Sequence, residues 1–357
     1  MEEYKVVRIV NEEPEFCEGQ RSNAIVDYFI ICEESKRLYG QCVYDLEVCG
    51  MNFVNWVARA CESKPRVIKV YGDEDVLDVI RPYVNRESDY SVVLFADTPL
   101  VNKAHLLDLI EFIDRKRMNI CKLKRGFVFR NDYIEYNDEF YCVDEYDFAS
   151  DDFLVVENNE TFDEVKNKLS KKVIEFHKRN GILFENENTV TIDANAQIGE
   201  FTKISSGVSV VKGSKIASNC VIGNNVKISS SIVGENVKVR DNSLIYDSII
   251  KNNVCIDMET LIKDSIVGNN SLIELGASVR SSSLKDGVIL KSSVLVDNGR
   301  IAESVVINKY SNVIGIKDRV IIGANCEIGE DCRIVDSKIA DNSIIEMNSK
   351  VYYRVDE

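Results

Sequence analysis

A two-part fold is predicted: an α/β layer unit followed by a parallel β-helix. Three observations carry it. Apolar, β-branched runs alternate with helix-like segments up to about residue 155. A long amphipathic segment then covers residues 160–180. From Ile192 onward, apolar β-branched residues recur every six positions. The first pattern reads as parallel βαβ units and the last as a solenoid of hexapeptides.

In the first part, "AIVDYFIIC" (24–32), "RVIKVYG" (66–72) and "SVVLFA" (91–96) are apolar and end in turn or polar residues, as buried strands do. "MNFVNWVARACES" and "DEDVLDVIRPYV" space their apolar residues as helices between them. "KVVRIV" (5–10) is a candidate first strand, followed by the acidic loop "NEEPEFCEGQ". The segment 127–148, polar and aromatic, reads as a hairpin region with an Asn-Asp turn.

The segment "ETFDEVKNKLSKKVIEFHKRN" carries Phe162, Val165, Leu169, Val173, Ile174 and Phe176 as an apolar stripe, and Gly181 suits its C-terminal cap. It is expected to connect the two parts.

The repeat is the strongest pattern in the chain. Ile192, Ile198, Ile204, Val210, Ile216, Ile222 and Ile228 mark successive hexapeptides. Four residues after the first six stand the small residues Ala196, Thr202, Val208, Ser214, Cys220 and Val226. The positions just before those are Asn195, Phe201, Gly207, Gly213, Asn219 and Asn225, mostly residues that tolerate a left-handed corner. The spacing then shortens: Ser231, Ser248, Ser265 and Ser282 head stretches 17 residues apart, so some turns use five residues rather than six. About nine coils are expected between residues 190 and 353, with a loop or bulge near 306–320.

Composition narrows the partners. A net charge of −15 speaks against nucleic acid and anionic membrane surfaces, which are polyanions. No apolar run is long enough for a membrane span, and "MEEYKVVRIV" has no signal-peptide pattern, so a cytoplasmic protein is expected. The 11 cysteines form no CxxC pair and read as buried thiols.

Three features together resemble one family. They are a strand ending in "DTPL", a connecting helix ending in "HKRNG", and the hexapeptides. The chain resembles the bifunctional N-acetylglucosamine-1-phosphate uridyltransferase / glucosamine-1-phosphate acetyltransferases. "EFHKRNGILFENENTVTIDANAQIG" (175–199) is similar to their linker and first coil, and "YDLEVCGMNFVNWVARAC" to the stretch around their Gly-Lys-Pro. The 17-residue coils are also similar to those of glucose-1-phosphate adenylyltransferases.

This resemblance implies a truncated Rossmann-like nucleotidyltransferase domain over 1–158, a connecting helix over 159–185 and a left-handed parallel β-helix over 186–357. It implies Mg2+ held by Asp97, with Glu157 at the family's second ligand position, and a sugar phosphate or nucleotide sugar as ligand. Arg125 and Gly126 are candidates to contact that ligand, although a solvated basic turn is the preferred reading of "KLKRGFVF". Association into a homotrimer, or into a hetero-oligomer with an active homologue, follows from the same resemblance.

Departures from the family's pattern set the functional question. The position of the family's phosphate lysine, counted back from Gly50, is Val43. The loop after the candidate first strand is acidic and not glycine-rich, and the base-reading motif is absent between Tyr71 and Ser91. No histidine follows His177, so the acetyl-transfer base is missing from the solenoid; His105 and His177 read as structural. Two readings stay open: a divergent nucleotidyltransferase, or a non-catalytic nucleotide-sugar-binding or scaffold subunit. For Asp97 the alternative to a metal ligand is a cap at the strand–helix junction, with Pro99 opening the helix.

Overall fold

The computed structural model describes residues 24–72, 74–136, 145–146 and 153–352. They form two compact units, Met1–Lys171 and Lys172–Glu357. The "KVVRIV" strand candidate and its acidic loop lie outside the described residues.

The first unit contains β1 (Val26–Glu33), α1 (Phe53–Ala58), β2 (Arg66–Val70), α2 (Val76–Ile80), β3 (Tyr90–Phe95) and α3 (Lys103–Lys116). These are followed by β4 (Ile120–Leu123), β5 (Gly126–Arg130), α4 (Asn131–Tyr136) and β6 (Glu145–Tyr146). The sheet order is β6-β4-β5-β3-β1-β2. β1 runs parallel to β2 and β3, whereas β5 is antiparallel to β3 and β4.

Strand alternation explains the layers. Tyr28, Ile30 and Cys32 of β1 enter one core with Val92, Leu94, Leu106, Leu109 and Ile113. Phe29 and Ile31 enter the other with Ile68, Ile80, Val93, Phe95 and Phe129. A sheet buried on both faces is apolar at nearly every position; β3 is buried along its whole length, and its Ser91 hydroxyl is satisfied by donating to Asn131 Oδ1 at 2.7 Å.

Two local expectations are corrected. Asn131–Tyr136 is helical, so the hairpin read across 127–148 ends at Arg130; Asn137 and Asp138 lie outside the described residues. Pro99 does not open α3. The Thr98 hydroxyl donates to the Phe95 carbonyl at 2.7 Å and holds a tight turn. The helix starts at Lys103, where the Asn102 side chain accepts the His105 N–H at 3.0 Å.

The helix α5 (Asn159–Arg179) carries the predicted stripe with one change. Val165, Leu169, Val173 and Ile174 are buried, but Phe176 is 38% exposed and His177 takes the inward position. Gly181 follows with φ +80°, as a C-terminal cap requires.

The second unit is a parallel β-helix. Among the described residues it has three stacks of ten, ten and nine short strands. That is one coil more than the repeat predicts, because Leu183–Phe184, assigned to the linker, already pairs with Lys203–Ile204. Coil length follows the sequence. Lys203 pairs with Val221 18 residues on, Ile232 with Ile249 17 residues on, and Gly299 with Val320 across a loop, where the bulge was expected. At that loop Asp336 Oδ1 accepts the N–H groups of Ile316, Lys317 and Asp318 at 2.6, 3.0 and 3.2 Å.

The shortened corners are held by a buried serine ladder. Ser231 Oγ accepts Ser248 N–H at 3.1 Å, Ser248 Oγ accepts Ser265 N–H at 3.1 Å, and Ser265 Oγ accepts Ser282 N–H at 3.1 Å. Each hydroxyl also donates to the carbonyl two residues before it. A five-residue turn leaves one N–H without a strand partner, and the hydroxyl of the coil below satisfies it.

Candidate functional site

In open α/β sheets, ligands sit beyond the carboxyl ends of the parallel strands. Here that edge carries charge. β1 ends at Glu33, with Glu34 and Lys36 following; Lys69 is in β2; Asp97 follows β3; and Arg125 precedes β5.

Asp97 is 5% exposed and anchors the arrangement. Lys36 Nζ lies 2.6 Å from Asp97 Oδ2. Arg125 reaches the same oxygen with Nε at 3.1 Å and Nη2 at 3.0 Å, and its Nη2 also pairs with Glu33. The guanidinium stacks over the Phe95 ring at 4.0 Å. A buried carboxylate needs paired charge and hydrogen bonds, and these two cations supply both.

A second network lies beside the first. The Tyr44 hydroxyl donates to Glu34 Oε1 at 2.6 Å, Lys69 Nζ donates to the same oxygen at 2.9 Å, and Cys42 Sγ donates to Oε2 at 3.3 Å. These donors, Tyr44 foremost, hold the Glu34 carboxyl down to about 2. The Tyr44 hydroxyl is pushed up, first by burial and then by Glu34, and the Lys69 ammonium is held protonated by Tyr44 and Glu34. Ile31, Glu33, Lys36, Val43, Tyr44, Phe95, Ala96 and Asp97 line a small pocket open to solvent.

The predicted residues divide clearly. Asp97 and Arg125 meet directly. Gly126 stands next to them for a backbone reason: its φ is +120°, and a Cβ there would lie 2.2 Å from the Val93 carbonyl oxygen. Glu157 is exposed, and its N–H donates to Thr161 Oγ1 at 3.0 Å, while Asn158 Oδ1 accepts Thr161 N–H at 3.0 Å at the start of α5. The neighbouring Val156 N–H donates to the Asp97 carbonyl at 2.9 Å, which ties the Glu157 segment to the Asp97 turn. The capping role for the Asp97 side chain is corrected: its carboxylate bonds Lys36 and Arg125.

A divalent ion fits this donor set poorly. The Asp97 carboxylate already faces two cations, and a third charge of the same sign would be repelled. Among the described residues, no group of three Asp, Glu, His or Cys side chains could hold a metal ion. The resemblance's Mg2+ therefore finds one of its two ligands occupied by Lys36 and Arg125.

Sequence reading missed Lys36, Glu33, Glu34, Tyr44 and Lys69. It sought a lysine at the position of Val43, and Val43 does line the pocket, but the ammonium arrives from Lys36 instead. The usable sign was "CEESK", three charges packed directly behind an apolar strand.

His177 is 2% exposed, stacks edge-on against Phe176 with centroids 5.3 Å apart, and is pushed down to about 4 by burial.

Comparisons with known proteins bear on the second half. Residues 195–230 match the family described as bacterial transferase hexapeptide (six repeats). The protein named bifunctional protein GlmU from Listeria welshimeri is 32% identical over 81 residues, which is 23% of this chain and 18% of that protein. The protein of the same name from Lactobacillus johnsonii is 38% identical over 77 residues, 21% of this chain and 16% of that one. In its C-terminal region this chain resembles the GlmU proteins.

The matches span less than a fifth of those relatives' length. Among solved structures, the UDP-N-acetylglucosamine acyltransferase of Francisella novicida aligns over 44% of this chain and 62% of its own, with 16% identity and a TM-score of 0.31. No helix among the described residues is long and apolar enough to cross a membrane.

Proposed function

We propose that this chain is a non-catalytic member of nucleotide-sugar metabolism, a subunit that binds a sugar phosphate or nucleotide sugar in its α/β unit and associates through its β-helix. The observation that carries the reading is the double engagement of Asp97 by Lys36 and Arg125. Phosphoryl transfer depends on preorganised electrostatic stabilisation around the phosphates, usually with a metal ion. A carboxylate already neutralised by the protein's own cations offers that ion no vacancy. The lack of any histidine after His177 supports the further proposal that the β-helix performs no histidine-dependent acetyl transfer. A homotrimer, or a hetero-oligomer with an active homologue, is the proposed assembly, in the cytoplasm. The net charge of −15 supports a partner other than nucleic acid.

The second reading is a divergent sugar-1-phosphate nucleotidyltransferase with Mg2+ on Asp97 and Glu157. It is favoured by the bond from Val156 to the Asp97 carbonyl, which brings the Glu157 segment to the Asp97 turn. Pyrophosphate release separates the two, measured with UTP, ATP, CTP and dTTP against sugar-1-phosphates in Mg2+. The non-catalytic reading expects no turnover with any pair. Turnover that Asp97→Ala abolishes would establish the enzyme instead.

A further inference from the structure

Lys36 and Arg125 meet at the place where the resemblance puts a divalent cation. Each is about one quarter exposed, and Asp97 between them is buried. Asp97 uses only part of their hydrogen-bonding capacity. An ammonium has three donors and a guanidinium five. Lys36 Nζ spends one bond on Asp97. Arg125 spends Nε and Nη2 on Asp97 and Glu33, and its Nη1 has no hydrogen-bond partner among the described residues. Both side chains are held, one against Asp97 and the other also on the Phe95 ring, with donors left over.

We propose that Lys36 and Arg125 replace the metal ion, so that this corner binds a phosphate group directly and without a divalent cation. The inference rests on the proposed function for the identity of the whole ligand, but not for the site itself. Asp97 and Glu33 act here as counter-ions that fix the two cations in place before the ligand arrives, which lowers the ordering cost of binding. Arg presents a planar fork suited to phosphate oxygens, and Lys adds a point charge. The small, solvent-open pocket beside Lys36 does not enclose a whole small molecule, so a phosphate group bound at its mouth leaves the rest of the ligand outside. Lys69, 54% exposed and on the same edge, pairs with Glu34 and donates to the hydroxyl of the pocket-lining Tyr44 at 3.1 Å.

Titration calorimetry on the full chain tests this, with inorganic phosphate, N-acetylglucosamine-1-phosphate and UDP-N-acetylglucosamine as probes, each in EDTA and in Mg2+. Phosphate affinity is expected to agree within about twofold between EDTA and Mg2+, because no ion bridges the contact. Lys36→Met and Arg125→Met are each expected to weaken phosphate binding about tenfold or more, since a charge-assisted bond is lost. Lys36→Arg, which keeps the charge, should recover most of the loss, and melting curves of each variant separate misfolding from lost contact.

Binding that needs Mg2+, that is absent in both buffers, or that is indifferent to both Met variants in folded protein overturns the inference. The two failures are distinguishable. If the sugar ligands bind regardless of Lys36 and Arg125, the inference falls and the proposed function stands. If inorganic phosphate binds through both residues but neither sugar ligand does, the inference stands and the proposed function falls.

Discussion

The β-helix and the α/β sheet solve the problem of buried polar groups in opposite ways. In the β-helix each solution is local and repeated: Ser231, Ser248 and Ser265 each accept the N–H of the next serine, 17 residues on. In the α/β unit the solutions are long-range and do not repeat: Asp97 is satisfied by Lys36, 61 residues before it, and Arg125, 28 residues after it, and Ser91 by Asn131, 40 residues on. A repeated local device leaves a period in the sequence. A single long-range device leaves only scattered charges.

The largest way to break the contrast is at a position where the sheet tolerates one residue type. Gly126 is such a position, with φ +120° and the Val93 carbonyl 2.2 Å from where a Cβ would lie. Gly126→Ala is expected to destabilise the α/β unit by about 3 kcal/mol, through backbone strain and displacement of β3 from β5. Thermal melting should show the loss in one transition while that of the β-helix stays put. An unchanged melt would mean the β3–β5 pairing adjusts freely.

Next in size is the serine ladder. Ser248→Ala leaves the buried Ser265 N–H without its acceptor and removes the hydroxyl that donates to Tyr246 carbonyl at 2.6 Å. A loss of about 1–3 kcal/mol is expected, confined to the β-helix. Hydrogen exchange read at Ser265 should accelerate relative to coils farther along the stack. If Ser248→Ala is as stable as the wild type, the ladder is incidental to the short corners.

These two positions also show what was legible. The strands β1, β2 and β3, the helix α5 and the coil lengths of 18 and then 17 residues could be read because burial imposes a period on them. Corners were legible through Asn219, Asn225 and Gly207, all at positive φ, and even Phe201, which broke the residue rule, has φ +61°. Phe176 and His177 were exchanged because both fit the edge of a helical stripe, and only packing selects which turns inward. The site was half legible. Asp97 and Arg125 stood out as charges beside apolar strands. Their ion pair did not, nor did Lys36, because spacing along the chain says nothing about which side chains meet across a sheet edge.

A smaller effect comes from the histidine that α5 turned inward. Burial lowers His177 to about 4 from its ordinary 6.5. The unfolded chain therefore takes up a proton first as pH falls. The folded state keeps its full stability above pH 6.5 and loses it as pH drops from 6.5 towards 4. His177→Leu should remove this slope, and near pH 5.5 the difference amounts to about 1 kcal/mol. Urea unfolding of both proteins across this range measures it, and parallel pH profiles would place His177 in water.

The smallest effect tests whether the exposed half of the charged edge behaves like its buried half. Glu34 is held to about 2, against an ordinary 4.5, by the Tyr44 hydroxyl, Lys69 and Cys42. Its folded value is the lower one, so its stabilisation is present above pH 4.5 and is lost as pH falls towards 2. Lys69 is 54% exposed, and solvent screens its share. Other carboxylates titrate in the same window, so the informative quantity is the difference between wild type and Glu34→Gln. That difference should shrink as pH falls through this window, and added salt should shrink it further, because an exposed pair is screened. A difference that ignores both pH and salt would mean Glu34 acts through Tyr44 packing rather than charge, and the electrostatic edge would then reduce to Asp97, Glu33, Lys36 and Arg125.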